Sequence, residues 1–266
     1  MNRYNKISNS YDFRNPQDVF KYSRLFVNDS FGFIHKDIEP NNNSFYRSRL
    51  HSTPNTLYTN YNELMSPPIR FCPLGRANYP GEPIFYSSDR ISTTIAECKP
   101  KIGQFISSLE IRIQKDLLIT MILGRTNRYK NENLILDEKS TELNNFLDDC
   151  FRKNVTKENS VEYYRTSTFI RTHIPNFNDG NLDSIIYPSM ASELKGDNFI
   201  FTQKFINKYG KFKSLIVSQI VDKDDNGNYI TKCMFKSYKL TNENDFVYGR
   251  ILNCDVHNFV DEEFHN

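Results

Sequence analysis

The sequence predicts a mixed fold built from both β-strands and amphipathic helices, and three stretches carry that expectation. From Phe105 to Ile113 the apolar positions Phe105, Leu109, Ile111 and Ile113 alternate with Gln104, Glu110 and Arg112, the period-two pattern of a half-buried strand. Leu143, Phe146, Leu147, Cys150 and Phe151 recur at helical spacing, so 141–152 reads as a helix with one apolar face. The runs SLIVSQIV and YITKCMF are β-rich, and the segment Asp222 to Asn228 that joins them is polar and contains Asn-Gly, a hairpin signature.

The remaining elements follow in chain order. Residues 1–43 read as an N-terminal extension rather than a separate domain. In it Asn15 offers an N-cap, Pro16 a first-turn proline, and Val19, Phe20, Leu25 and Phe26 an apolar side for a short helix. Asn41–Ser44 is a polar loop. Phe45–Leu50 reads as a strand whose alternation puts Arg47 and Arg49 on one face. Residues 51–74 are rich in Pro, Asn, Ser and Thr without periodicity, so a long irregular loop is expected there, often a functional feature.

The stretch 75–97 is the most structured signal. Gly75, Pro80, Gly81 and Pro83 punctuate a loop, Ile84, Phe85 and Tyr86 form a short buried strand, and Ser88 or Asp89 is placed to cap a helix. Ile91 and Ile95 share a face of that helix, and Glu97 lies in its last turn before Pro100 ends it. A carboxylate at a helix C-terminus is disfavoured by the dipole, which marks Glu97 for attention. Beyond it, Leu117–Leu123 reads as a more fully buried strand. Residues 166–174 read as a helix with Phe169, Ile170, His173 and Ile174 inward, and Ser184–Ser189 and Asn198–Phe201 as strands.

Composition narrows the function. The chain has 266 residues, enough for one large domain or two small ones, with 38% hydrophobic, 25% charged and 14% aromatic content. Its 34 basic and 32 acidic residues give a formal charge of +2, so no direct nucleic-acid or membrane binding is expected. Five widely spaced cysteines without a CxxC pair favour free thiols in a reducing compartment. The N-terminal MNRYNKISNSYDF lacks an apolar core and the longest apolar run is too short to span a bilayer, so a cytoplasmic location is expected. The five histidines show no metal-ligand spacing, so no metal is expected. Asp222, Asp224, Asn226 and Gly227 imitate the start of a calcium loop, but the twelfth position is Cys233, and a polar hairpin turn is the better reading.

Arg47, Arg49 and Arg76 are the candidates for an anion site, because guanidinium forks match phosphate oxygens. Lone arginines on a sheet are usually solvated or salt-bridged; here they stand at a strand and a glycine turn near Tyr86 and Glu97. The segments FYRSRL, GRANYPGEPIFYSSDRISTTIAE, YRTSTFI, SIIYPS and GDNFIF, in that order, resemble the RES domain family, named for its Arg, Glu and Ser residues. The resemblance covers roughly residues 44–205, leaving 1–43 and a hairpin-containing extension, 206–266, outside it. Where many members carry tryptophan after the loop arginine, this chain has Ala77 and Asn78.

The resemblance implies an α+β, ADP-ribosyltransferase-like fold with largely antiparallel strands in a split sheet and peripheral helices. It implies an enzyme that cleaves the nicotinamide–ribose bond of NAD with phosphate or water as acceptor, a bacterial toxin acting by NAD depletion. NAD is then a substrate rather than a cofactor, inorganic phosphate a possible co-substrate, and a cognate antitoxin or immunity protein a partner. By motif, Arg47 and Arg76 fall on the NAD phosphates, Tyr86 against the nicotinamide ring, Glu97 at the nicotinamide ribose, and Ser189 in the same pocket as a hydrogen-bonding group. Two alternatives stand beside this: ADP-ribosyl transfer to a protein or nucleic acid, and non-enzymatic binding of NAD or a partner.

Overall fold

The structure is a computed structural model and describes residues 3–13, 15–27, 35–38, 44–51, 57–124, 136–155, 161–178, 181–250 and 256–258. Helices α1 (Arg3–Asn9) and α2 (Pro16–Val27) precede strands β1 (His35–Ile38), β2 (Ser44–Leu50) and β3 (Ile84–Ser88) and helix α3 (Ile91–Cys98). Strands β4 (Phe105–Ile113) and β5 (Leu118–Ile122) lead to helices α4 (Glu138–Arg152) and α5 (Val161–Asn178). Strands β6 (Ser184–Pro188) and β7 (Asp197–Thr202), helix α6 (Gln203–Tyr209), and strands β8 (Gly210–Lys223), β9 (Tyr229–Leu240), β10 (Phe246–Arg250) and β11 (Val256–Asn258) complete the order.

The strands form one eleven-stranded sheet in the order β1-β5-β6-β7-β3-β2-β4-β8-β9-β10, with β11 also on β9. It is mostly antiparallel; β5 and β6 pair in parallel. Adjacent strand residues point to opposite faces, and two apolar clusters result. Ile84, Ile185 and Ile200 pack with Phe146, Leu147, Phe151, Phe169 and Ile170 of α4 and α5, while Phe85, Ile186, Phe199 and Phe201 pack with Phe45, Leu109, Phe205 and Ile206 on the other side. Tyr4, Phe13 and Tyr22 of the N-terminal segment join the first cluster, and Tyr4 stacks on Phe146 at 5.8 Å.

One place in the sheet is barely paired. Strand β2 runs beside β4 along its whole length, Ser44 to Leu50, but meets β3 only where Tyr46 faces Ser88. The β1-β5-β6-β7-β3 and β2-β4-β8-β9-β10 portions therefore part at the ends of β2 and β3, and an opening forms there.

Several expectations hold. The strands at 45–50, 84–86, 184–188 and 198–201 are present, and Leu143, Phe146, Leu147, Cys150 and Phe151 are all buried on α4. The hairpin is present and much longer than its two apolar runs. Its turn is organised by Asp224, whose Oδ1 accepts from the backbone of Asn226 at 2.9 Å and Asn228 at 2.8 Å, with Gly227 at φ 78°. His173 is buried and its Nδ1 lies 3.0 Å from the Phe169 carbonyl.

Others need correction. From Ile106 to Ile111 strand β4 is buried on both faces rather than one, because it is central and Glu110 is paired in place with Lys213 at 2.7 Å and accepts from Ser214 Oγ at 2.6 Å; Arg112 is exposed, as the alternation expects. Neither Ser88 nor Asp89 caps α3: the N-cap is Arg90, whose side chain makes no capping hydrogen bond, and Ser88 is the last residue of β3, donating to the Asp197 carbonyl at 2.5 Å. Helix α5 starts at Val161, five residues before the expected 166. On α2, Asn15 Oδ1 accepts from Gln17 as foreseen, but Phe20 is 62% exposed under the Arg24 guanidinium. The Asn41–Asn43 loop, Cys254 and the side chains of Leu25, Phe26 and Ile174 lie outside the described residues. No described helix is long and apolar enough to cross a membrane.

Candidate active site

The opening between β2 and β3 holds a cavity of about 480 Å³, lined among others by Arg47, Arg76, Tyr86, Glu97, Tyr163, Tyr187 and Asn198. This lies within the range of small-molecule sites, several hundred to about 1,000 Å³. Of the six residues singled out in the sequence, Arg47, Arg76, Tyr86 and Glu97 meet at this cavity, Ser189 supports Glu97 from behind, and Arg49 lies away from it.

Glu97 reaches the cavity from the end of α3. The helix closes on Lys99, a non-glycine residue held at φ 47°, whose N–H donates to the Ala96 carbonyl. Glu97 Oε1 accepts two hydrogen bonds of 2.7 Å, from Ser189 Oγ and Asn198 Nδ2. Both fall on the same oxygen, leaving Oε2 for the cavity. These donors offset the unfavourable end of the helix dipole, which explains how the carboxylate is tolerated there.

Ser189 is fully buried and does not line the cavity, so its expected place in the pocket is corrected to one behind Glu97. Its Oγ accepts from the Ser192 N–H at 3.2 Å, which turns its own hydrogen toward Glu97. The turn that carries it is tight: Ser189 N donates to the Gly196 carbonyl, Leu194 N donates to the Ser189 carbonyl, and Glu193 and Leu194 adopt φ 53° and 67°. A Cβ on Gly196 would sit 1.9 Å from Thr93 Oγ1. Gly196→Ala is therefore expected to cost about 2 kcal/mol by overpacking, read as a fall in Tm of about 4–8 °C at this chain length.

Arg47 spans the opening itself. Its Nε donates to the Leu64 carbonyl at 2.9 Å and its Nη1 to the Tyr86 carbonyl at 2.8 Å, with the Phe85 ring centroid 5.1 Å away. Burial, together with repulsion from Arg49, pushes its pKa down to about 9, which still leaves it cationic at neutral pH. No carboxylate among the described residues pairs with it. A half-buried guanidinium bonded only to carbonyls retains its charge for an anionic ligand.

Arg49 shares that face, as expected, but donates to the Met65 carbonyl at 2.7 Å and does not line the cavity. Arg76 lines it and is 9% exposed. Its Nη1 and Nη2 donate to the Cys150 and Lys153 carbonyls at 3.0 and 2.8 Å, closing the C-terminus of α4, and its guanidinium lies 5.5 Å from the Tyr163 ring centroid. It has a structural task beyond the anion contact foreseen for it.

Tyr86 presents its ring to the cavity and commits its hydroxyl elsewhere. The oxygen accepts from Ala77 N at 2.9 Å and donates to Asn78 Oδ1 at 2.7 Å, and burial raises its pKa. The Gly75 loop is thereby fastened to β3; a Cβ on Gly75 would lie 2.8 Å from this hydroxyl. Cys98 also lines the cavity, with burial first among the causes that push its thiol up to about 11, so it is protonated at neutral pH and not a ready nucleophile.

Sequence reasoning missed Asn198, Tyr163, Tyr187 and Asn78. Asn198 stands at the head of an apolar strand, and only its register, opposite Ser88 on β3 and Tyr187 on β6, brings it to Glu97. Among the described residues no three His, Cys, Asp or Glu side chains gather as metal ligands. The sequence matches no family model and no curated protein.

Proposed function

We propose that this chain cleaves the nicotinamide–ribose bond of NAD, with phosphate or water as acceptor, on an ADP-ribosyltransferase-like fold of the RES type. The observation that carries the reading is one cavity with two opposite charges held in place. Glu97 is anchored through Oε1 by Ser189 and Asn198, and Arg47 has no carboxylate partner among the described residues. The opening in the sheet between β2 and β3, with α3 leading out of β3, supports the fold assignment.

The charges suit the chemistry. As the C1′–N bond breaks, its electron pair goes to the pyridinium nitrogen, nicotinamide leaves neutral, and positive charge develops on the ribose. Glu97 Oε2 stabilises that charge, an interaction stronger in the transition state than in the ground state. At about 4 Å and an effective dielectric of ~20 it is on the order of 4 kcal/mol before desolvation. An oxygen of phosphate or water then bonds to C1′, and in the water case its proton is released, with Glu97 as the nearest base. A guanidinium would oppose positive charge on the sugar, so Arg47 and Arg76 belong with the pyrophosphate, where they fix the ribose in one orientation. Tyr86 offers its ring to the nicotinamide.

The toxin role by NAD depletion, and an antitoxin or immunity protein as partner, rest on the RES resemblance alone. Incubation of the protein with NAD, with and without phosphate, is expected to release nicotinamide together with ADP-ribose or its phosphorylated form, identified by mass. Label from NAD retained on a macromolecule would favour ADP-ribosyl transfer instead. Absence of turnover under both conditions would overturn cleavage.

A further inference from the structure

We infer that Asn198 is a positioning residue for the reaction, holding Glu97 in place across the opening in the sheet; the inference rests on the cleavage reading above. Glu97 belongs to α3, which is fastened to the β2-β4-β8 side. Ile95 packs on Ile106 and Ile220, Thr94 Oγ1 lies 2.7 Å from Ser48 Oγ, and Cys98 Sγ donates to the Ser48 carbonyl. Both donors to Glu97 come from the other side. Asn198 stands on β7 opposite Tyr187 of β6, and Ser189 directly follows β6, so the two donors move as one piece with that ladder.

The carboxylate therefore links the two portions of the site, beside Arg47 and the packing of Thr93 on Gly196, and the donors fix more than its location. A carboxylate with one partner turns about its terminal torsion, which is soft. Two donors on Oε1 set the plane of the group and aim Oε2. Ser189 alone does not suffice, because a single donor leaves the carboxylate free to turn about the bond it makes. Asn198 is 7% exposed, so its amide has few competing water partners, and its Nδ2 supplies the donor that an aspartate could not.

The test is a set of variants assayed for nicotinamide release, with parallel NMR of side-chain amides. Asn198→Ala is expected to lower kcat by about 10- to 100-fold, the usual scale for losing a group that orients a reactive one. KM should remain within about twofold, since a residue acting through Glu97 contributes little to ground-state binding. Asn198→Asp keeps the shape, places a second carboxylate against Glu97 and should lose at least as much; it serves if the alanine variant fails to fold. In a Glu97→Gln background, Asn198→Ala should change kcat no further. The Asn198 side-chain amide signal should shift in Glu97→Ala, whether or not the protein turns over NAD.

Wild-type kcat in both Asn198 variants would overturn the inference, as would an equal fractional loss in the Glu97→Gln background or an unmoved amide signal. A wild-type protein that releases no nicotinamide would instead sink the cleavage reading, while the amide signal still decides whether Asn198 holds Glu97.

Discussion

Glu97→Gln is expected to lower kcat for nicotinamide release by about 1,000-fold while leaving the protein folded with an unchanged or slightly higher Tm. Glutamine keeps an oxygen that accepts from Ser189 and Asn198, so the two 2.7 Å hydrogen bonds and the position of the side chain survive. What is lost is the negative charge facing the ribose. An attraction on the order of 4 kcal/mol corresponds to about three powers of ten in rate, at about 1.4 kcal/mol for each. Removing a carboxylate from a helix C-terminus relieves an unfavourable dipole interaction, which sets the sign of any change in stability. Steady-state kinetics and a thermal melt on the same preparation check both halves. Near wild-type turnover would remove Glu97 from the mechanism.

Arg47→Ala should damage stability and substrate binding together. The side chain donates to the carbonyls of Leu64 and Tyr86, and its loss leaves both acceptors without that partner at the weakly paired junction of β2 and β3. At about 1–3 kcal/mol for each buried group left unsatisfied, a total near 3 kcal/mol is expected. That is a fall in Tm of roughly 6–12 °C for a chain of this size. Loss of a charge-assisted bond to a phosphate, about 1.5–3 kcal/mol, should raise KM for NAD by about 10- to 100-fold. Arg47→Lys retains a charge but cannot reproduce the two-pronged span, so it should recover part of the affinity and little of the stability. A wild-type Tm and KM in the alanine variant would show that Arg47 neither spans the opening nor meets the substrate.

Much of this site was legible because its signals are local. The short apolar strand, the helix after it and the terminal position of Glu97 all fall within 75–97, and the alternation of 45–50 places Arg47 and Arg49 on one face. Periodicity likewise gave α4, where five apolar residues repeat on a single stripe. The misses share a different cause, since each depends on which strands become neighbours. Glu110 reads as a solvent-facing position, but β2 and β8 flank β4 and β8 supplies Lys213 and Ser214 to it. Ser88 has the chemistry of a cap, but pairing of β3 with β7 brings the Asp197 carbonyl to its hydroxyl. Arg76 closes a helix 74 residues away, and nothing in its own neighbourhood announces that. Ser189 and Asn198 reach Glu97 only through the joint register of β6, β7 and β3.

Whether Glu97 faces the nicotinamide ribose is read most directly from a crystal structure of the Glu97→Gln protein soaked with NAD, in which slowed turnover preserves the substrate. Intact NAD is expected in the cavity at the β2–β3 opening, with the nicotinamide ring against Tyr86, the pyrophosphate at Arg47 and Arg76, and the ribose C1′ about 4 Å from the residue 97 side chain. NAD bound elsewhere on the protein, or lying in the cavity with its pyrophosphate beside residue 97 and its nicotinamide ribose remote from it, would show that Glu97 does not act on the ribose.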